Sequence, residues 1–157
     1  MKSVSTENGF TLMEVMVVSA IVGITASLAV PNYLQWNSRY QLKQVVMEIH
    51  SQLGVSRLLA MNRNTSVNLA VVVAGSQVSL TLTDATGVQV VSPQTINVSH
   101  VTAVGGTTTI QFNSLGLRSS GAAGDQLMTV GNDRGLTYSV RVTQGGKASW
   151  CPKATCP

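Results

Sequence analysis

Residues 10–30 form an apolar run of 21 residues, interrupted by one ionisable group, Glu14, near its start. Wound as an α-helix, the run would be about 31 Å long, enough to cross the hydrocarbon core of a bilayer. An apolar stretch of this length asks for lipid around it, and no soluble core of a chain this size needs one. A carboxylate inside such a segment costs about 2.5 to 3.5 kcal/mol on insertion scales. A chain that keeps Glu14 there is expected to have a partner for it.

Three readings of the segment compete. In the first it is a secretory signal peptide, with Lys2 as the positive start and Ser27-Leu28-Ala29 as the cleavage site. Its length and its carboxylate argue against that. In the second it is a plain membrane anchor in which Glu14 is incidental. In the third, Gly9-Phe10 is a cleavage point that leaves Phe10 as a new N-terminus.

The string Gly9-Phe10-Thr11-Leu12-Met13-Glu14, followed by the apolar run and Pro31, resembles the N-terminus of type IV pilins and type II secretion pseudopilins. The cleavage glycine, the phenylalanine after it, the acidic residue fifth in the mature chain, the proline twenty-second in it and the short polar leader all agree. The resemblance implies that a prepilin peptidase cuts between Gly9 and Phe10 on the cytoplasmic face and N-methylates Phe10. It also implies a filament-assembly role for Glu14, which would meet the N-terminal amine of a neighbouring subunit. The spacing supports this, because Phe10 and Glu14 are four residues apart and share one helix face. Pairing amine and acid would remove two lone charges from an apolar filament core and set the axial register. Pro31 lies inside the helical pattern and is expected to bend or locally melt it.

Beyond Pro31, Tyr33, Trp36 and Tyr40 recur at helical spacing, as an aromatic belt at a membrane surface or as subunit packing. Leu42, Val45, Val46, Ile49 and Leu53 then mark one stripe at three-and-four spacing, so an amphipathic helix should continue to about Met61. Asn62-Arg63-Asn64 reads as its end. After Asn64 the period changes to two. Strands are expected at residues 67–73, 78–82, 88–91, 96–100, 108–112, 127–130, 136–142 and 147–150, with a long loop over 113–124 and a hairpin turn at Asn132-Asp133-Arg134-Gly135. Charged residues make up only 10% of the chain, and the part beyond the apolar run, roughly 125 residues, suffices for one small core. The expected organisation is a leader (1–9), a transmembrane or filament-core helix (10–30), an amphipathic helix (31–63) and a β-rich domain (64–157). The fold class is α+β, with a long N-terminal helix packed on antiparallel strands, the type IV pilin fold.

Ser56-Arg57, Ala60-Met61-Asn62-Arg63, Ile110-x-Phe112-Asn113-x-x-Gly116 and Val140-x-Val142-x-x-x-Gly146-Lys147 resemble the FimT/GspH branch of minor pilins and pseudopilins. That resemblance implies a minor pilin of a type IV pilus or, with the same physics, an H-type pseudopilin of a type II secretion system. The implied partners are other pilin or pseudopilin subunits, prepilin peptidase, an inner-membrane assembly platform and inner-membrane lipid. The implied location is the cell inner membrane, single-pass with the C-terminal domain periplasmic, and then the filament. FimT proteins linked to DNA uptake carry Gly-Arg-x-Arg near the C-terminus, where this chain reads Gly146-Lys147-Ala148-Ser149. Lys147 lacks the bidentate fork of arginine, and the second basic residue is missing. With Trp150 and Lys153, it forms a candidate DNA-binding tail acting through charge and stacking, to which Arg118, Arg134 and Arg141 would add a basic surface. The rival reading is solvated charge on strand edges.

Cys151 and Cys156, the only cysteines, can pair outside the cytoplasm and tie down the C-terminus, for roughly 2 kcal/mol. His50 and His100 lack metal-ligating company at suitable spacing, so no metal and no cofactor are expected. Asp84, Asp125 and Asp133 fall in turns, where local bonding to backbone is the expected role. No nucleophile, base and orienting acid come together, so no catalytic residue and no enzyme activity are expected.

Overall fold

The computed structural model describes residues 9–119, 121 and 123–156. The expected leader, apart from Gly9, lies outside the described residues. The chain divides into two compact units, Met1–Asn37 and Ser38–Pro157.

A single helix, α1 (Leu12–Arg63), enters both units. In the first unit, every residue from 10 to 30 is exposed. The helix starts on a cap: Thr11 Oγ1 accepts a hydrogen bond from the Glu14 amide at 3.3 Å. The helix continues through position 31, so Pro31 does not melt it. One missing amide bond costs less than starting a new helix beyond it.

In the second unit, Leu42, Val45, Val46, Ile49 and Leu53 are all buried, as the stripe requires. The helix ends at Arg63, within the expected Asn62-Arg63-Asn64 terminus. Asn64 adopts a left-handed conformation (φ 51°). Its amide donates to Met61 O at 3.3 Å and the Thr65 amide to Ala60 O at 3.2 Å, which is the Schellman pattern. The side-chain amide of asparagine tolerates this conformation better than most residues, and the chain leaves the helix straight into a strand.

Eight strands follow among the described residues: β1 (Val67–Ala74), β2 (Gln77–Asp84), β3 (Gln94–Asn97), β4 (Val101–Gly106), β5 (Thr109–Phe112), β6 (Gln126–Asn132), β7 (Thr137–Val142) and β8 (Ala148–Cys151). They form two antiparallel sheets, ordered β3-β2-β1-β5 and β4-β6-β7-β8. Inward positions alternate along the strands: Val67, Leu69 and Val71 on β1, Val78, Leu80 and Leu82 on β2, Met128 and Val130 on β6. These faces and the helical stripe make one core, to which Phe112 contributes the largest buried side chain.

Two strand expectations are corrected, and one strand is added. Residues 88–91 form no strand. The Asp84 carboxylate accepts from the amides of Thr86 (2.8 Å) and Val88 (3.0 Å), folding the segment into a turn with one bridge, Thr83–Gln89. Residues 96–100 split: β3 ends at Asn97 and β4 begins at Val101. Strand β4 escaped the sequence because Thr102, Ala103, Gly105 and Gly106 carry no alternation. Its glycines instead permit close approach, and a β-carbon on Gly106 would sit 2.2 Å from Leu127 O.

Candidate functional site

The first candidate lies at the start of α1. Phe10 and Glu14 line one shallow hollow with Val15, Val18, Ser19 and Val22. Glu14, Val18 and Val22 repeat every fourth residue along α1 and form one ridge; Phe10 precedes the helix, which starts at Leu12, and borders the same hollow. Phe10 is 83% exposed, so the position that would become the N-terminus is unobstructed by this chain. Thr11-Leu12-Met13-Glu14 also has the spacing of a capping box, a signal present in the sequence and not used above. Glu14 thus sits in the first turn, where a carboxylate complements the helix dipole. Further along, Tyr33 and Trp36 are exposed, with ring centroids 6.3 Å apart.

The second candidate is the C-terminal tail. Cys151 and Cys156 are joined in a disulfide. The closed loop rests on the fully buried Ser139 of β7, whose hydroxyl donates to Lys153 O at 2.7 Å. Sequence reasoning passed over Ser139, since a serine in a strand carries no signal until its partner loop is placed. Trp150 is half-buried and stacks on Tyr138, with centroids 6.3 Å apart and planes 12° apart, so one ring face is taken. Lys147 is exposed and lines a depression with His50 and Arg57, which does not include Trp150 or Lys153. Lys147, Trp150 and Lys153 are therefore close in sequence and separate in role.

The remaining charges are more local than expected. Arg118 is buried, not part of a basic surface, and its guanidinium donates to Gly124 O. Arg141 pairs with Asp125 at 3.5 Å, and His100 Nδ1 with Asp133 at 2.9 Å. Those two aspartates reach across strands and loops instead of capping their own turns. The His100 loop meets the β6–β7 turn only in the folded chain, which no spacing could show. Asp84 behaves as expected. The Thr86 hydroxyl above all holds its carboxyl below the usual range; burial opposes it, and the Val88, Thr86 and Gly87 amides add smaller downward effects. His50 Nε2 lies 3.3 Å from Ala148 O, tying the helix to β8.

Comparison with known proteins bears on both ends of the chain. The prokaryotic N-terminal methylation motif matches residues 5–30. A fimbrial protein of Pseudomonas aeruginosa is 44% identical over 43 residues, 27% of this chain and 28% of that protein. The type IV major fimbrial protein FimA of Dichelobacter nodosus is 46% identical over 44 residues, 28% of each. The chain thus spans under a third of the length of these curated relatives. Among solved structures, the type IV minor pilin FimU of Pseudomonas aeruginosa superposes with a TM-score of 0.52 at 12% identity, over 78% of this chain and 96% of that one. A second crystal form of FimU gives 0.51. The chain therefore carries the N-terminal methylation motif and has the type IV pilin fold.

Proposed function

We propose that this chain, pilin-like at its N-terminus and in its fold, is a minor pilin: a structural subunit of a type IV pilus, built into the filament in few copies. The observation that carries the reading is the exposed apolar segment of residues 10–30, helical from Leu12, with Phe10 and Glu14 bordering one hollow at its start and Gly9 before it. A precursor would hold this helix in the inner membrane, with its leader cytoplasmic and residues 64–157 periplasmic. Prepilin peptidase would cut after Gly9 and methylate Phe10. The assembly platform would then move the helix from lipid into the filament. There, Glu14 of one subunit would meet the Phe10 amine of the next. In lipid or filament alike, the helix is surrounded by apolar groups, so the transfer changes its neighbours more than its solvation. The charge pair then supplies the register that apolar packing leaves loose.

The pilus reading leans on the N-terminal relatives, which are fimbrial proteins. For DNA uptake, the tail offers less than its sequence suggests, because Tyr138 already occupies one face of Trp150. Mass spectrometry of the mature protein tests the reading. An N-terminus at N-methylated Phe10 is expected, and any other mature N-terminus refutes it. Glu14→Ala should leave residues 38–157 folded and reduce recovery of the subunit in sheared pili. Normal recovery would overturn the charge-pairing argument.

A further inference from the structure

We propose that the depression between α1 and the β7–β8 turn is a socket for one acidic side chain of a different protein subunit. It holds about 250 Å³ and is bounded by His50, Arg57 and Lys147 on its basic side and by Leu53, Gly54 and Ala148 on its apolar side. Arg57 Nε is buried, and nothing among the described residues accepts a hydrogen bond from the guanidinium. Lys147 has no acidic partner among them either. Two unpaired cations converging on one concavity attract an anion.

Arg57 Nε is packed closely against two glycine turns. A β-carbon placed on Gly116 would lie 3.1 Å from Arg57 Nε, and one on Gly146 would lie 3.3 Å away. The stem of the arginine is thus laid across the contact between two glycine turns. This leaves the terminal nitrogens for an incoming acceptor, in the fork geometry that suits a carboxylate. The bond between His50 and Ala148 O holds the opposite wall. Little order remains to be imposed on binding, which favours affinity.

The identity of the occupant follows from size and charge accounting. The depression has room for a carboxylate side chain, and its apolar lining of Leu53 and Ala148 suits the methylene stem. A phosphodiester strand needs an open groove with repeated charges and free aromatic faces, and this site has neither. A second copy of this chain is a poor donor. The carboxylates of the Ser38–Pro157 unit are already engaged: Glu48 by Gln52, Asp84 by Thr86, Asp125 by Arg141 and Asp133 by His100. The glutamate or aspartate therefore comes from another kind of subunit. The pilin reading enters only in making that subunit a filament neighbour.

The test uses the full chain, ¹⁵N-labelled in detergent micelles, and follows the Gly146 amide and the Arg57 Nε–H signals by NMR. Four probes are titrated: a short neutral-capped peptide with one glutamate, its glutamine twin, inorganic phosphate and a short DNA duplex. The glutamate peptide should give a saturable shift, about tenfold tighter than the glutamine twin. Both Arg57→Gln and Lys147→Gln should abolish that preference. Lys147 is exposed, so its substitution leaves the fold intact even if loss of Arg57 unsettles the glycine turns. Equal responses to the two peptides would overturn the proposal. So would tighter binding of phosphate or DNA than of the glutamate peptide, or a preference that survives Lys147→Gln. None of these outcomes depends on cleavage at Gly9, so this proposal and the pilin reading fail separately.

Discussion

Replacing Gly146 by alanine should be among the most damaging single-methyl additions in this protein. Gly146 has φ +76°, a conformation that costs a residue with a β-carbon about 1 kcal/mol. Its added carbon would also lie 2.2 Å from Gly116 O, a backbone atom with no rotamer to escape into. The two turns would have to part by roughly 1 Å to reach ordinary contact, and forced overpacking of this kind costs about 1 to 3 kcal/mol. Parting them strains the bond from the Arg118 amide to Gln144 O (3.1 Å), for about 1 kcal/mol more. The sum is about 3 to 5 kcal/mol. Gly135 provides the control, since its φ is +73° and an added carbon meets nothing within 4 Å. Gly135→Ala should lose only the conformational part, about 1 kcal/mol. Urea unfolding of the fragment Ser38–Pro157, which contains every core residue, measures both. Equal losses for the two variants would refute the claim that the β7–β8 turn is packed hard against the turn at residues 113–117.

Two further outcomes are expected. Cys151→Ser/Cys156→Ser should lower the stability of the same fragment by roughly 2 kcal/mol, the loop-closure value for so short a ring; the reductant-treated parent should match it, and an unchanged midpoint would show that Ser139 holds the tail without the bridge. The Asp84 carboxyl should titrate below the ordinary aspartate range by NMR, and Thr86→Val should move it upward. Because its folded value is depressed, its contribution to stability is complete above the unfolded aspartate pKa and is lost as pH falls through the folded one. An Asp84 titration at or above the ordinary value would contradict the hydrogen-bond geometry.

What one-dimensional pattern can determine, it determined here. The length and apolar composition of residues 10–30 specify a long apolar helix, because both are read along the chain alone. The stripe Leu42 to Leu53 and the alternation in β1, β2 and β6 were legible for the same reason. Where two remote segments meet, the sequence was silent. Strand β4 is held by glycines approaching β6 and has no pattern of its own. The order of the two sheets, the Ser139 seat of the disulfide loop and the His100–Asp133 pair all join residues far apart in the chain. The basic tail shows the division most clearly. Sequence grouped Lys147, Trp150 and Lys153 because they are neighbours along the chain. Tertiary structure stacked Trp150 on Tyr138, left Lys153 in the disulfide loop and gave Lys147 a new companion, Arg57, from the helix. Charge and stacking act through space, so only the fold decides which cations share a site.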